Sequence, residues 1–378
     1  MFHNFNISAQ STPNLYRAYN IINKEQQDRL NKKISGFKYP DKIVNDIEKM
    51  IEKSNIAFNH KDFEKQFATL ITPILKPKLT IDMQIEKLKI KGVTFNATDM
   101  DENNAKNFLT NNTFYYKLTA YRKNFEKSDD KYIDLDFSYL VDLSIMDMHT
   151  KNEVLKICSC IEHAIKTKLL RDFDISTEDG YQIVKDFCIY AKKIPHPINQ
   201  SSIDKFKHKA IWQIVEEVTL SELFKLCDYF YKKHTRNSQV YIKIKNLSKC
   251  IIDLRNAVSH NNCLINDLNK NQLTRATDEI VDYLYIHCFK NDKSIYKFKK
   301  NIEDMLTNKF INNFLGCLLA LDYISSSQKI KYHRYKEILL LKHRIKKNKH
   351  YYRNNKIIKP IYYIILKTIL HFYCKNIR

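Results

Sequence analysis

The sequence predicts an all-α protein, on the strength of its composition and of two long uninterrupted stretches. Only 4 Gly and 7 Pro occur among 378 residues, which disfavours β-sandwiches, Gly-rich phosphate loops and Pro-rich linkers. An apolar fraction of 44%, with 12% aromatic residues, is too high for a disordered chain and suffices for a large core. Residues 93–179 and 198–315 contain neither Gly nor Pro, which favours long helices.

Apolar residues at spacings of three and four predict the individual helices in order. Ile81–Ile90 has Thr80 as an N-cap and Gly92 as a stop, and a short helix follows at about Asp101–Leu109. The longest pattern runs from Phe137 to Phe173, and its buried stripe is Leu140, Leu143, Met146 or Asp147, Leu155, Ile161, Ile165 and Leu169. Further helices are predicted at Tyr181–Lys192, Leu220–Lys233, Tyr241–His260 and Leu273–Phe289.

These patterns divide the chain into four regions. We expect an N-terminal helical region at 1–79, a small helical subdomain with an aromatic cluster at 80–136, a larger helical domain at 137–328 and a basic helical extension at 329–378. We see no secretory signal and no stretch of about 18 apolar residues, and the nine cysteines are scattered without a C-x-x-C pair. We therefore expect a cytoplasmic protein that has reduced thiols and uses no membrane, metal or cofactor.

The net charge of +22 indicates a polyanionic partner, above all a nucleic acid. Residues 329–378 alone contain 15 Lys or Arg and one acid, Glu337, with Tyr332, Tyr335, Tyr351 and Tyr352 interleaved. Cations neutralise phosphates and rings stack on unpaired bases, so we predict RNA binding here, against the alternative of an ordinary solvated helix. The predicted RNA contacts are Arg122, Lys123, Lys342, Arg344, Lys346, Lys347, Lys349, Tyr351, Tyr352, Arg353 and Lys356.

One short motif could carry chemistry. Within IIDLRNAVSHNN, Arg255 and Asn256 are followed by His260. A His can move protons near neutral pH, and the guanidinium fork of Arg suits phosphate oxygens. On a helix, Asn256 and His260 lie about 40° apart, whereas Arg255 and His260 lie about 140° apart. Arg and His can therefore meet at one phosphate only if the helix ends near Ser259 or a second copy completes the site.

Several segments resemble the bacterial abortive-infection (Abi) family, specifically its AbiD/AbiF-like group. They are TIDMQIEKLKIKGVTF (80–95), NNTFYYKLTAYRKNF (111–125), IEHAIKTKLLRDF (161–173), IWQIVEEVTLSELFKL (211–226) and LRNAVSHNN (254–262), within about Leu79–Phe289. The family is similar to the HEPN superfamily of helical ribonucleases. The resemblance implies a HEPN-type bundle with the signature Arg255, Asn256 and His260, Glu162 on the preceding long helix, and, as in some members, a small non-coding RNA. Lys166 stands where the family has Arg, and Thr219–Glu222 lacks the family's Gly.

The resulting hypothesis is an antiviral-defence protein that binds RNA and cleaves it without a metal ion. His260 would be the general acid/base, and Arg255 would hold the scissile phosphate. Asn256 would position His260 or the phosphate. Glu162 would orient Arg255 or a neighbouring base. A single signature per chain predicts a homodimer with a composite site. The alternatives are an inactive scaffold that forms a ribonucleoprotein with a structured RNA, and a DNA-binding regulator with a helix-turn-helix between Thr80 and Leu109.

For four further features we favour an interpretation other than a direct role in catalysis or base stacking. The Arg344–His350 spacing lies in a charge run and indicates phosphate binding rather than a second nuclease site. Trp212 is expected in the core, and His163 at an interface rather than in the site. The rings of Phe114, Tyr115, Tyr116 and Tyr121 are expected between helices, leaving Arg122 and Lys123 exposed.

Overall fold

The computed structural model describes residues 79–96, 100–234 and 238–377, without the side chains of residues 344 and 345. The helical region predicted for 1–79 therefore lies outside the described residues, apart from its last residue. Within the described ranges there are fifteen α-helices and four two-residue strands, so the all-α class is confirmed.

The helices are α1 (Ile81–Ile90), α2 (Glu102–Asn111), α3 (Tyr115–Ala120), α4 (Phe137–Asp174), α5 (Gly180–Lys193), α6 (Gln200–Phe206), α7 (Ile211–Glu217), α8 (Leu220–Lys233), α9 (Gln239–Asn246), α10 (Ser248–Ser259), α11 (Asp278–Leu284), α12 (Lys299–Leu306), α13 (Lys309–Ile324), α14 (Gln328–Lys347) and α15 (Ile358–Lys375). Short 3-10 turns lie at Tyr121–Asn124, Ile295–Lys297 and Lys349–Tyr352, and a π-helical turn at Tyr285–Phe289. The strands are β1 (Val93–Thr94), β2 (Lys127–Ser128), β3 (Lys131–Tyr132) and β4 (Leu135–Asp136).

The strands form two small pairings beside α4. β1 pairs with β4 in parallel, and β2 pairs with β3 as an antiparallel hairpin. The two hairpin turn residues, Asp129 and Asp130, both have positive φ, at 47° and 66°. Positive φ at both turn positions matches the right-handed twist of the flanking strands, and Asp is among the residues that adopt it most readily.

Where capping residues mark the helix ends, the predicted extents are confirmed. Helix α8 covers Leu220–Lys233 as predicted, because Thr219 and Glu222 form a reciprocal capping box. Helices α4 and α5 each differ from their predicted ranges by one residue at one or both ends. One member of the predicted stripe on α4 was wrong: Leu155 is 46% exposed, whereas Val154 is fully buried.

Two predictions of single long helices were also wrong. The stretch Tyr241–His260 is divided at Leu247, which ends α9, begins α10 and is itself fully buried. In the stretch Leu273–Phe289, the helix begins only at Asp278. The N–H of Leu273 instead donates to the carbonyl of Thr307, at 3.0 Å. Both differences arise from tertiary contacts that local periodicity does not encode.

Helix α4 connects the two groups of buried residues. Its first part, with Phe137, Leu140 and Leu143, packs into a cluster with α1, α2 and α3. Its later part, with Ile161 and Leu169, packs into the larger cluster formed by α5 to α15. A helix of 38 residues is about 57 Å long, so one rigid element spans both cores.

The helix that carries the Arg-Asn-His motif is held against α13 at close range. A Cβ placed on Gly316 of α13 would lie 2.9 Å from Cys250 Cβ of α10. Asn312, one turn earlier on α13, donates to Thr277 Oγ1 at 3.1 Å and accepts from Thr277 N at 3.0 Å. Glycine at 316 therefore permits a close approach that fixes α10 within the bundle.

Helices α14 and α15 of the basic extension are packed into the bundle. Tyr335 of α14 is fully buried, and its hydroxyl donates to the carbonyl of Leu318 on α13 at 2.9 Å. Phe372 of α15 stacks on the Tyr335 ring with a centroid separation of 5.1 Å. Of the helices described, none combines the length and the hydropathy that a bilayer span requires.

Candidate functional site

The motif lies at the C-terminal end of α10, and the helix ends at Ser259, which is one of the two conditions considered for a meeting of Arg255 and His260. The backbone N–H of His260 still donates to the carbonyl of Asn256, at 3.0 Å. Asn261 then adopts a positive φ of 52°, and its N–H donates to the carbonyl of Val258 at 2.9 Å. Together with a bond from Asn262 to Ala257, this is a Schellman end, a geometry that Asn tolerates. The imidazole of His260 is therefore carried at an exposed helix terminus.

Asn256 and His260 line one open pocket of about 400 Å³, as their predicted separation of about 40° on the helix implies. The other polar lining residues come from α10, from the loop that follows it and from the start of α13. They are Asp253, Asn262, Asn266, Gln272, Lys309 and Asn313.

Arg255 does not line this pocket. It is half-buried, and its Nε is enclosed by protein without a hydrogen-bond partner among the described residues. Within a single chain, the guanidinium of Arg255 and the imidazole of His260 therefore do not meet in one pocket. A buried guanidinium N–H without a partner is rare in folded proteins and calls for an explanation.

Glu162 lies on α4, which packs against α10. Its carboxylate pairs with Lys166 one turn further along the helix, with a separation of 3.2 Å between Oε1 and Nζ. Among the described residues it forms no hydrogen bond or ion pair with Arg255. Lys166 thus neutralises the acid that we expected to orient Arg255 or a nearby base.

A buried ion pair on α4 fixes the loop that follows His260. Asp147 Oδ1 accepts hydrogen bonds from the backbone N–H groups of Leu264 and Ile265, at 2.7 and 2.9 Å. Asp147 Oδ2 lies 2.6 Å from Lys151 Nζ, which also donates to Asn261 Oδ1 at 3.1 Å. This role of Asp147 and Lys151 was not predicted from the sequence. A pattern in the sequence does indicate a buried ion pair, because two opposite charges four residues apart interrupt an otherwise apolar stripe.

Asn124 connects the same loop to the C-terminal part of the chain. It is fully buried, and its side chain donates to the carbonyl of Ile265 at 2.7 Å and accepts from Leu268 N at 2.8 Å. Its carbonyl accepts from the side chain of Asn355 at 2.8 Å. Nearby, burial and then the Asp147 carboxylate raise the pKa of the Tyr121 hydroxyl. The family segment at 111–125 therefore supports the motif loop.

The two predicted RNA contacts in that segment have different surroundings. Arg122 is half-buried, with its guanidinium over the rings of Tyr115 and Tyr132 and its Nε donating to the carbonyl of Thr119 at 3.0 Å. The expectation that Arg122 remains exposed was therefore wrong. Lys123 is exposed, as expected, and lies 3.3 Å from Asp267.

Two of the four tyrosines proposed to stack on bases are buried. Tyr335 lies in the core, as described above, and Tyr352 is buried with its hydroxyl 2.5 Å from Asp142 Oδ2. Stacking on a base by either ring was therefore a wrong expectation for this conformation. Tyr351 is half-buried, with one face against Tyr139 at a centroid separation of 4.5 Å. Tyr332 likewise stacks on another ring of the protein.

The predicted cationic RNA contacts of the extension differ in exposure and in pairing. Lys342 is half-buried against an apolar groove, Lys356 lies 4.0 Å from Glu126, and the side chain of Arg344 lies outside the described residues. Among the predicted RNA contacts of the extension, the cations that are exposed and form no ion pair with a described residue lie between positions 346 and 353. We call them the corner cluster: Lys346, Lys347, Lys349 and Arg353.

The remaining features also divide between surface and core. Trp212 is 51% exposed and packs on Gly180, so its placement in the core was a wrong prediction. Within the aromatic cluster Tyr115 and Tyr121 are buried, whereas Phe114 and Tyr116 are exposed. The side chain of His163 is exposed on α4, as that of His350 is in the corner region, and the nine cysteines carry free thiols. No group of three or more His, Cys, Asp or Glu in the described part of the chain is arranged to hold a metal ion.

A family model described as Abi-like protein matches residues 107–266. The range includes four of the five segments quoted above and ends in the loop that Asp147 holds, so the match supports the expected Abi family, over a shorter range than Leu79–Phe289. The match supports a role in abortive infection, a form of antiviral defence. Comparison with curated proteins and with solved structures gives no significant match.

Proposed function

From the membership of residues 107–266 in the Abi-like family, we propose that this protein binds RNA and cleaves it as a metal-independent, HEPN-type endoribonuclease in antiviral defence, working with a small non-coding RNA. One observation carries the proposal. His260 stands exposed at a fixed helix end and shares an open pocket with Asn256. The imidazole of His260, which can transfer protons, is therefore accessible to a ligand and is not buried in the core.

The chemistry needs only the chain's own side chains. A general base takes the proton from a ribose 2′-OH, and that oxygen attacks the adjacent phosphorus while the bond to the 5′-oxygen breaks. An acid returns a proton to the leaving 5′-oxygen, so the products are a 2′,3′-cyclic phosphate and a free 5′-OH. His260 is the proton-transfer group, and Asn256 positions it or the phosphate from the same wall of the pocket.

The charge that develops on the phosphoryl oxygens calls for Arg255, which does not line this pocket in the single chain. A second copy of the chain, docked at the end of α10, would bring its own Arg255 to this His260. We therefore propose a homodimer with composite sites.

The test is cleavage of labelled RNA by the purified protein in EDTA, with analysis of the product ends. His260→Ala should lower the rate by about 10²- to 10⁴-fold, the usual range for general acid–base catalysis, without changing RNA affinity. His208→Ala is the matched control, because this His is exposed and does not line the pocket, and it should be without effect. Cleavage that persists in His260→Ala would refute the assignment.

Sedimentation and trans-complementation test the composite site. Mixed dimers of His260→Ala and Arg255→Ala contain one intact site, so mixing two inactive variants should restore cleavage. A protein that stays monomeric at micromolar concentration, or mixing without any recovery, would contradict the dimer.

A second candidate, the inactive RNA-binding scaffold, is favoured by the corner cluster. Its four exposed cations form no ion pair with a described residue and present a surface suited to phosphates, whether or not His260 is catalytic. Tight, salt-sensitive binding without cleavage in any condition would support this alternative, and sequencing of the co-purifying RNA would identify the ligand.

The helix-turn-helix interpretation has less support. Helices α1 and α2 are separated by residues 91–101, which include a strand paired with β4, rather than by the turn of three or four residues typical of that motif. A preference for duplex DNA over RNA in a competition experiment would support the helix-turn-helix interpretation.

A further inference from the structure

The pocket that holds His260 already contains a cation of the same chain. Lys309, the first residue of α13, lines this pocket together with His260 and Asn256, and its side chain is about half exposed. Its Nζ lies 2.9 Å from Asp253 Oδ2, and Lys249 lies 3.5 Å from the same oxygen. Two lysines thus share one carboxylate, which leaves a net positive charge beside the pocket.

The position of Lys309 is fixed by the backbone around it. Its N–H donates to Gln272 Oε1 at 2.8 Å, so the loop after the motif is bound to the start of α13. The side chain of Asn308 adds bonds to the carbonyls of Leu268 and Lys270, both at 3.1 Å. The ammonium group is therefore carried by a residue whose backbone is held in place at the rim of the pocket.

The remaining polar side chains of the lining are mainly carboxamides. The side chains of Asn256, Asn262 and Asn266 form no hydrogen bonds with other described residues, so their donors and acceptors are available to a ligand. An amide can both donate and accept, as the Watson–Crick edge of a base requires. Bases in a duplex have these edges occupied, so such a wall suits an unpaired base.

We propose that Lys309 binds the scissile phosphate of single-stranded RNA in the same pocket and on the same chain as His260, while the carboxamides of Asn262 and Asn266 contact the adjoining unpaired base. This inference rests on the proposed function and names its substrate class. Arg255 of a second copy would then be the second cation on the phosphate, and Lys309 the first.

Lys309→Gln is the primary test, with Lys309→Arg as the conservative variant and Lys249→Gln as the matched control. Lys249 shares Asp253 but does not line the pocket. We expect Lys309→Gln to slow cleavage of single-stranded RNA by about 10- to 100-fold, somewhat less than the loss of a full oxyanion donor. The cleavage rate of Lys309→Arg should stay within a few-fold of that of the unaltered protein. Lys249→Gln should cleave at the same rate as the unaltered protein.

Trans-complementation tests the placement on one chain. Lys309→Gln mixed with Arg255→Ala contains one intact site and should regain cleavage, whereas Lys309→Gln mixed with His260→Ala should not. Recovery in both mixtures would place Lys309 in a different site from His260 and overturn the proposal.

RNA affinity, measured across a salt series in the His260→Ala background, distinguishes a failure of the proposed nuclease function from a failure of the Lys309 proposal. If the unaltered protein cleaves no RNA, the proposed nuclease function fails, and Lys309 is then judged by affinity alone. Weaker binding of a single-stranded oligonucleotide by Lys309→Gln, with a log–log salt slope lower by about 0.7, supports the phosphate contact. Binding equal to that of Lys249→Gln overturns it.

Discussion

The ammonium group of Lys151 lies 3.1 Å from the side-chain oxygen of Asn261, the residue that directly follows the motif histidine. Lys151 is buried on α4 and is paired with Asp147, whose other oxygen binds the backbone at Leu264 and Ile265. The direction in which His260 leaves α10 is therefore set by a buried ion pair more than a hundred residues earlier in the chain.

Asp147→Asn should destabilise the protein and weaken cleavage together. The substitution leaves the Lys151 cation buried without its carboxylate, which should lower the free energy of unfolding by about 3 kcal/mol in urea titration. Asp204→Asn is the control, since Asp204 belongs to an exposed pair with Lys207 and its loss should leave the urea midpoint unchanged. Equal midpoints for the two variants would show that the buried pair does not hold the loop.

The corner cluster should account for much of the salt dependence of RNA binding. Replacing Lys346, Lys347 and Lys349 together by Gln removes three phosphate contacts, so the log–log salt slope for single-stranded RNA should fall by about two. The matched control is the triple Gln variant of Lys185, Lys192 and Lys193, exposed lysines of α5 that also form no ion pair with a described residue. Equal losses in both triples would indicate a diffuse charge effect instead of a local site.

Tyr352 should matter for stability and not for RNA. Tyr352→Phe removes the hydroxyl that bonds Asp142 and leaves that buried carboxylate less satisfied, so unfolding should become easier by about 1–3 kcal/mol. RNA affinity should be unchanged because the ring does not face solvent. Tyr181→Phe, at a half-exposed ring, is the control that should alter neither quantity. A selective loss of RNA binding in Tyr352→Phe would restore the stacking role.

Acid should destabilise the packing of α15 through His371. Its ring lies 3.2 Å from the Tyr283 hydroxyl, and burial, followed by Lys375 and His287, lowers its pKa, while Asp322 opposes the shift. The unfolded chain therefore binds more protons than the folded one as the pH falls below the ordinary value of about 6.5, and stability falls with it.

We accordingly expect the melting temperature to fall between pH 7.5 and pH 5.5, and to fall less in His371→Gln. The exposed His208 provides the control, His208→Gln, which should follow the unaltered protein. Parallel curves for all three proteins would exclude His371 as the source of the acid sensitivity.

The properties that were predicted correctly from the sequence alone depend on local patterns of residues. Helical periodicity and caps located α4 and α8 almost to the residue, and the angular spacing on a helix placed Asn256 beside His260 and Arg255 away from it. Residue types and their order indicated the Abi-like family. These properties depend on neighbours within a few turns, and such neighbours can be read along the chain.

Which cations and aromatic rings are accessible to a ligand could be seen only in the folded structure. Tyr335, Tyr352 and Arg122 resemble RNA contacts in sequence but are engaged with the core, and Trp212 resembles a core residue but is half exposed. Lys309 joins the His260 pocket although it lies 49 positions further along the chain. The physical reason is that burial and convergence depend on how α4, α10 and α13 pack against one another, and that packing is not contained in the periodicity of any one of them.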